Sequence, residues 1–164
     1  MTFATTDLCD DHPAMLEDGR LAVLPPVFTH YGRRGVFCGR ATTLKVHEDN
    51  ALVRSTLEAP GNGNVLVIDG GGSLRRALVG GQLALLAQDN GWAGVVVNGC
   101  VRDSDEINAC DIGVRALGAH PRKSSKAGAG ERNGRIDLCG VPVSPGDWVY
   151  ADADGILIAQ QKLA

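Results

Sequence analysis

The chain of 164 residues has few aromatic side chains, since Phe, Trp and Tyr together make up 4% of it. A hydrophobic fraction of 44% still predicts a packed core, which must be built from aliphatic residues and alanine. The formal net charge of −3 offers no cationic excess for releasing counterions from a nucleic acid, so direct nucleic-acid binding is not expected. No apolar run approaches the ~20 residues needed to cross a bilayer, and we expect no membrane segment.

The sequence also lacks cysteines at metal-binding spacing. Its five cysteines are far apart and form no Cys-x-x-Cys pair, which argues against a zinc ribbon or a thioredoxin-like centre. The first eight residues have no apolar stretch typical of a signal peptide, so we expect a cytoplasmic protein whose free thiols mostly pack as small apolar groups. Cys100 lies near a basic residue, Arg102, and catalysis by this thiol is the less favoured alternative.

The hydrophobic pattern predicts an α/β chain without a linker or an internal repeat, and therefore one domain over residues 1–164. Two wholly apolar runs, Val65–Ile68 and Gly94–Val97, predict strands buried on both faces, the second ending at Asn98-Gly99. The other predicted elements are an N-terminal helix or extended arm, a strand over 36–46, a helix opened by 48–50, helices around 74–78 and over 82–90, a strand over 112–117, a loop over 120–133 and four short C-terminal strands.

Residues suited to ligand binding follow both apolar strands. If the two strands are parallel, the segments 69–81 and 98–106 open at one edge of the sheet. Backbone amides at Gly81–Leu83, where a helix is predicted to begin, favour an anion. Arg102 can bind a carboxylate through two parallel hydrogen bonds, and Asp103 is a hard oxygen donor suited to Mg²⁺ or Mn²⁺. The sequence therefore predicts a site for a small carboxylated molecule beside a divalent cation.

Each of these features also has a purely structural interpretation. The glycine run Asp69–Ser73 matches neither a Walker loop nor a dinucleotide fingerprint, and such runs are usually turns. Arg102 and Asp103 could form a surface ion pair at a helix start, with Asp103 as the N-cap. Asp105 and Glu106 could simply favour the start of a helix, and Lys123 and Lys126 could face solvent in their loop. The four histidines are scattered without ligand spacing and are interpreted as bystanders: His12, His30, His47 and His120. Asp152 and Asp154 are interpreted as turn residues.

Several segments resemble the RraA-like family, which contains regulators of ribonuclease E activity and class II 4-hydroxy-4-methyl-2-oxoglutarate aldolases. The similar segments cover nearly the whole chain: Val65–Gly80, Gly91–Asp103, Asp111–Gly118, Pro121–Lys126 and Pro145–Gly155. The active-site signature of the family is a glycine, twenty residues, Arg-Asp, two residues and then Glu or Asp. Gly81, Arg102-Asp103 and Glu106 fit that spacing.

The resemblance implies a swivelling β/β/α domain with mixed sheets, like that of phosphohistidine domains, assembled as a homotrimer or as a dimer of trimers. It also implies roles for individual residues. Arg102, Asp103 and Glu106 would be catalytic, with Asp103 holding the divalent cation and Glu106 orienting water beside it. The carboxylate and keto oxygen of the substrate would meet Arg102 and the backbone of Gly80, Gly81, Gln82 and Leu83.

The implied activity is that of a lyase dependent on Mg²⁺ or Mn²⁺. It would cleave 4-hydroxy-4-methyl-2-oxoglutarate to pyruvate by a retro-aldol reaction and decarboxylate oxaloacetate, in both cases through a pyruvate enolate. The chain ends at Ala164 without the C-terminal extension of longer aldolases, so we expect the decarboxylation ahead of the full aldolase activity. The alternative is a protein-binding inhibitor of a ribonuclease E-type partner. Regulators typically lack the acidic residue after the arginine, so Asp103 favours the enzyme.

Overall fold

The computed structural model of the chain describes residues 2–164. Within them lie five helices, α1 (Thr5–Asp11), α2 (Pro13–Asp18), α3 (Ala51–Glu58), α4 (Gly81–Asp89) and α5 (Ser104–Ala109). The strands in the same range are β1 (Leu21–Val23), β2 (Thr29–Tyr31), β3 (Phe37–Lys45), β4 (Val65–Asp69), β5 (Ala77–Val79), β6 (Gly94–Val101), β7 (Gly113–Ala119), β8 (Glu131–Arg132), β9 (Ile136–Leu138), β10 (Val141–Val143), β11 (Trp148–Ala151) and β12 (Ile156–Ala159).

Ten of these strands form one curled mixed sheet in the order β1-β12-β11-β3-β4-β6-β7-β2, with β5 beside β6 and β8 beside β3. Strands β3, β4, β6 and β7 are parallel neighbours, whereas β2 and the terminal strands pair antiparallel. The long strand β3 belongs to both regions, because residues 37–40 pair with β11 and residues 41–45 pair with β4. This arrangement confirms the predicted α/β fold with mixed sheets.

Three clusters of buried apolar side chains lie between the sheet and the elements that pack on it. One face of the parallel strands packs against α3, α4 and α5 through residues such as Leu57, Ala84 and Ile107. The opposite face, which includes Val67 and Val96, packs against β11, β12 and the β9–β10 hairpin. Helices α1 and α2 cover the outer side of the terminal strands. Strands β4 and β6 are therefore enclosed on both faces, as their unbroken apolar sequences predict.

The prediction of a helix around Leu74 to Leu78 is wrong. Leu74 is 60% exposed, and Ala77 instead pairs with Cys100 of β6 and donates its amide to the carbonyl of Arg122. The apolar residues do recur at helical spacing in this segment. Pairing to a neighbouring strand satisfies the backbone of β5 better than a single isolated helical turn would, because short helices are marginal without tertiary support.

The second apolar strand does not end at Asn98-Gly99, as predicted, but continues as β6 to Val101. The two residues instead coincide with an irregularity in the pairing of β6 with β7, which lies between Val97 and Cys100. A polar residue and a glycine thus produced a break in register rather than a chain turn. The extra residues carry the strand as far as the Arg102-Asp103 pair.

Two further expectations need adjustment. Residues 21–23 of the predicted N-terminal arm form β1, and the predicted loop 120–133 contains β8. Three of the five cysteines, Cys38, Cys100 and Cys110, are buried, in agreement with the expectation that most of them pack as small apolar groups, whereas Cys9 is partly exposed and Cys139 is exposed. No helix within residues 2–164 has the length and apolar character required to traverse a membrane.

Candidate active site

A cavity of about 210 Å³ lies where β5 leads into α4 and β6 leads into α5. Because β5 and β6 are parallel neighbours, both junctions open at the same edge of the sheet. Predicted site residues that line the cavity are Gly80, Gln82, Leu83, Arg102, Asp103 and Glu106, joined by Asn50, Arg54, Ala77, Lys123 and Lys126. The structure therefore brings the backbone that is predicted to bind an anion and the acidic residues of the signature into one small space.

Asp103 occupies the N-cap position of α5, and its carbonyl accepts the amide of Ile107 at 3.0 Å. Its carboxylate does not cap its own helix. Instead, Oδ2 accepts the amide of Gly81, at the start of α4, at 3.1 Å. A left-handed backbone (φ 56°) turns the side chain this way, a conformation that Asp and Asn tolerate better than most residues. The exposed carboxylate is thus held between two helix N-termini.

Arg102 is half-buried and lies beside Asp103 without forming an ion pair to it, so the surface ion-pair alternative does not describe these residues. Its amide donates to the carbonyl of Val79 at 2.9 Å, which fixes the backbone at the cavity edge. A Cβ added to Gly80 would lie 2.9 Å from Asp103 Oδ2 and 3.6 Å from Arg102 Cγ. Only glycine lets the β5–α4 turn approach these side chains so closely.

Gly81 is buried against the first turn of α5. A Cβ at this position would overlap Oε2 of Glu106 and lie 2.7 Å from its Cβ. The glycine of the signature therefore allows α4 and α5 to begin side by side. The amide of Gly81 is already bonded to Asp103. The amides of Gln82 and Leu83, which are also predicted to bind the substrate, lie in the first turn of α4, where no helical carbonyl four residues earlier can accept them.

Four polar or charged residues that line the cavity were not predicted to belong to the site, namely Asn50, Arg54, Lys123 and Lys126. The two lysines are exposed, as predicted for a solvated loop, yet they face the same space as Arg102. Arg54 Nη2 donates to Oε1 of Gln82 at 3.4 Å. Four cationic and two carboxylate side chains give this cavity a formal charge of +2, although the whole chain carries −3. Such a cavity attracts small polyanions.

Asp49 fixes the loop that carries the two lysines. Its buried carboxylate accepts the amides of Ala127 at 2.7 Å and Gly128 at 3.2 Å, while the Ser124 hydroxyl donates to the carbonyl of Ala77 at 2.7 Å. Burial by itself raises the pKa of the Asp49 carboxyl, but backbone hydrogen bonds from residues that include Ala51 and Ala127 outweigh it and leave the pKa below its usual value. The loop is therefore held by an ionised carboxylate.

Asp49 should contribute to acid stability. Because its pKa is lower in the folded protein than in the unfolded chain, its stabilisation is complete above the unfolded pKa of ~3.9 and is lost as the pH falls through the folded pKa. We expect Asp49→Asn to unfold at a lower temperature than the wild type at pH 7. Near pH 3 the difference between the two unfolding temperatures should be smaller. Thermal unfolding across pH 3–7 measures this. An Asp11→Asn variant, at an exposed residue at the end of α1, is the control, and a constant difference between Asp49→Asn and the wild type at every pH would contradict the assignment.

The donor set of the cavity fits a hard divalent cation. Residues 2–164 contain no cluster of three or more His, Cys, Asp or Glu, so a closed protein cage of the zinc type is not present in that range. Mg²⁺ and Mn²⁺ need less from the protein, since Mg²⁺ commonly binds through one or two carboxylates and keeps several waters. The bond from Gly81 uses one of about four acceptor positions of the Asp103 carboxylate, which leaves the others for a cation.

Two other features singled out in the sequence, the glycine run and Cys100, do not belong to this cavity. The glycine run after β4 is a turn in which Asp69 Oδ1 accepts the amide of Gly71 at 2.8 Å, and it does not line the cavity. Cys100 is buried in β6, and burial raises the pKa of its thiol. A thiol that stays protonated is a poor nucleophile, so catalysis by Cys100 is not supported.

Comparison with known proteins identifies the family of the chain. The model of the RraA-like family, described as Aldolase/RraA, matches residues 5–158. The chain belongs to the RraA-like family. A Cupriavidus necator relative named "Putative 4-hydroxy-4-methyl-2-oxoglutarate aldolase" is 59% identical over 159 residues, which cover 97% of this chain and 96% of the relative. A Burkholderia mallei protein with the same name is 60% identical over 163 residues, 99% of each chain.

Solved structures of RraA-like relatives have the same fold. The structure of the RNA-processing inhibitor RraA from "Thermus thermophilis" superposes with a TM-score of 0.93 at 49% identity, over 100% of this chain and 96% of that one. A Geobacillus kaustophilus structure named as an S-adenosylmethionine: 2-dimethylmenaquinone methyltransferase gives a TM-score of 0.92 at 46% identity, over 98% and 97% of the chains. Similar RraA-like chains thus carry three different functional names, and the site chemistry must discriminate between them.

Proposed function

We propose that this RraA-like protein is a divalent-metal-dependent lyase that cleaves 4-hydroxy-4-methyl-2-oxoglutarate to two molecules of pyruvate and decarboxylates oxaloacetate. The observation that supports it most is the cavity that combines Arg102, the first-turn amides of α4 and the exposed carboxylate of Asp103. Its volume of about 210 Å³ lies below the ~300–1,000 Å³ of pockets for larger ligands, which suits a small oxo acid better than an adenosyl cofactor.

Substrate binding follows from the charge distribution in the cavity. Arg102 and the amides of Gln82 and Leu83 bind the 1-carboxylate and 2-keto oxygen, because both are strong acceptors near a helix N-terminus. Asp103 holds the cation, which supplies Lewis-acid polarisation of the keto group when bound. Arg54, Lys123 and Lys126 supply the positive charge for the second carboxylate. The two carboxylates of one substrate are thereby bound by different residues of the cavity.

In the aldol cleavage, the proton of the 4-hydroxyl is removed, the C3–C4 bond breaks, and the electron pair passes to the pyruvyl fragment as an enolate. Protonation at C3 then gives the second pyruvate. In oxaloacetate, loss of CO₂ generates the same enolate. Arg102 stabilises the negative charge that develops on it. Glu106, the second carboxylate of the cavity, orients the water that carries the proton.

A direct assay tests the proposal. The purified protein is incubated with each substrate and Mg²⁺ or Mn²⁺, with and without a chelator, and pyruvate is measured against a protein-free metal blank. We expect pyruvate formation that requires both protein and metal. Equal rates with and without protein would exclude the lyase. Sedimentation of the same preparation would test the homotrimer that the family resemblance leads us to propose.

The cationic loop should set the preference for dicarboxylates. We expect Lys126→Met to raise KM for the dicarboxylate substrates by about threefold, the equivalent of ~0.7 kcal/mol for one exposed charge contact, with a smaller change in kcat. Steady-state kinetics measure both constants. Lys162→Met, at an exposed lysine outside the cavity, is the matched control. An unchanged KM in Lys126→Met would exclude Lys126 from substrate binding.

The second candidate is inhibition of a ribonuclease E-type enzyme, which the Thermus relative named as an RNA-processing inhibitor favours. The net charge of −3 favours contact with the nuclease itself rather than with RNA. A pull-down with a purified ribonuclease E-type protein tests it, and no retention at micromolar concentrations would exclude this candidate. The two candidates are compatible, because binding a nuclease does not require the cavity to be empty.

A further inference from the structure

One wall of the candidate active site consists of residues 122–128, here called the lysine segment because it carries the two lysines of the cavity. On one side the segment is bonded to the start of β5. The amide of Ala77 donates to the carbonyl of Arg122 at 2.8 Å, and the hydroxyl of Ser124 donates to the carbonyl of Ala77 at 2.7 Å. Ser124 is 3% exposed although both of its neighbours are exposed, so its hydroxyl attaches an otherwise exposed segment to the sheet.

On its other side the lysine segment is bonded to the start of α3. The backbone of Ser125 donates to one neighbour of Asp49 at 2.8 Å and accepts from the other at 3.0 Å. The buried carboxylate of Asp49 accepts the amides of Ala127 at 2.7 Å and Gly128 at 3.2 Å, and also the amide of Ala51 in α3 at 3.1 Å. The segment is therefore fixed between two elements of the fold.

The elements that hold the segment also form the cavity. Ala77 of β5 and Asn50, which precedes α3, line it together with Lys123 and Lys126. The two lysine side chains are exposed, so little besides the backbone of the segment keeps their charges beside the cavity. A charge that is already in place when the ligand arrives costs less to order, and it therefore contributes more to binding.

We propose that Asp49 and Ser124 are positioning residues that set the preference of this site for 2-oxo acids with a second carboxylate, by holding Lys123 and Lys126 at the cavity. This assignment rests on the proposed function, because it takes the cavity as the site of a 2-oxo acid. Both positioning residues are at most 3% exposed and neither lines the cavity, so they act on the ligand through the segment and not by contact.

Calorimetric titration of the full chain in the presence of Mg²⁺ tests the assignment with 2-oxoglutarate and 2-oxovalerate. The two acids share a five-carbon 2-oxo skeleton and differ in the second carboxylate, and neither has the 4-hydroxyl that the cleavage requires. We expect the wild type to bind 2-oxoglutarate at least about tenfold more tightly, because Arg54, Lys123 and Lys126 each contribute about threefold.

Asp49→Asn and Ser124→Ala should each lower that preference by about threefold, with little change in the binding of 2-oxovalerate. Ser124→Ala removes a single hydroxyl and provides a second test if Asp49→Asn fails to fold. In a chain that carries both Lys123→Met and Lys126→Met, Asp49→Asn should no longer change the preference, because the residues through which it acts are absent.

Asp152→Asn is the matched control for a loss of stability alone. The Asp152 carboxylate is also buried and also accepts backbone amides, from Thr5 at 2.7 Å and Asp154 at 2.9 Å, but it does not line the cavity. We expect this variant to unfold at a lower temperature than the wild type and to keep the wild-type preference for 2-oxoglutarate.

The positioning role is overturned if both Asp49→Asn and Ser124→Ala keep the wild-type preference, if Asp152→Asn lowers it equally, or if Asp49→Asn still lowers it in the chain without the two lysines. A wild type that binds neither acid would overturn the proposed function as well. A wild type that shows the expected preferences but forms no pyruvate would exclude the lyase activity and support the positioning role.

Discussion

Replacing Asp103 with asparagine should reduce metal-dependent pyruvate formation by at least about a hundredfold. Residues outside the direct ligand set of a metal already cost 10–100-fold when changed, and Asp103 is the carboxylate that we propose as the ligand itself. Asparagine is the informative substitution because it tolerates the left-handed backbone at this position and keeps an oxygen that can accept the amide of Gly81. The loss would therefore report on the negative charge rather than on the fold.

The control for this prediction lies on the same helix. Asp105→Asn removes a carboxylate from the first turn of α5, where the residue is exposed and does not line the cavity. We expect its activity to remain close to that of the wild type. Measuring pyruvate against Mn²⁺ concentration adds a second readout, since weakened metal binding moves the half-saturation point. An Asp103→Asn enzyme with normal rate and normal metal dependence would overturn the proposed role.

The second large effect is expected at Arg102. Its side chain lines the same cavity as Asp103, and in the proposed mechanism it binds the substrate carboxylate and stabilises the enolate. Loss of a desolvated bidentate contact costs ~2–5 kcal/mol, so Arg102→Ala should lower kcat/KM by roughly 30-fold to several-thousand-fold. Arg102→Lys keeps the charge but not the planar fork, and it should recover only part of that loss.

Steady-state kinetics with oxaloacetate separate the two contributions of Arg102. A binding role raises KM, whereas stabilisation of the enolate lowers kcat, and we expect both constants to change. Arg33→Ala is the matched control, because Arg33 is exposed and absent from the cavity lining. Full activity in Arg102→Ala, or complete recovery in Arg102→Lys, would contradict bidentate recognition of the substrate.

The main elements of the fold could be predicted because their signals are local. The apolar runs of β4 and β6 and the helical spacing of α4 each depend on a few adjacent residues. The segment around Ala77 was misjudged because its state depends on pairing with Cys100 and Arg122, which are distant in sequence. The two errors in this region arise from the same cause, since β5 and the end of β6 support one another.

The candidate site was only partly predictable for a similar reason. The spacing of Gly81, Arg102 and Glu106 indicated the residues at the two helix starts, and the structure brings them together. Lys123 and Lys126 gave no such signal, because lysines in a Gly- and Ser-rich loop normally face solvent. Their position follows from the buried carboxylate of Asp49, some 75 residues earlier, which binds the loop backbone.

The double membership of strand β3 has a mechanical consequence. Its first half pairs with β11 and its second half with β4, so fraying that starts in the C-terminal strands is transmitted along β3 to β4, which pairs with β6 next to the candidate site. Detachment of the antiparallel part of the sheet at β3 would therefore also disturb the parallel part. We therefore expect the antiparallel and parallel strands to unfold together as one cooperative unit, and to become accessible to proteases at the same time.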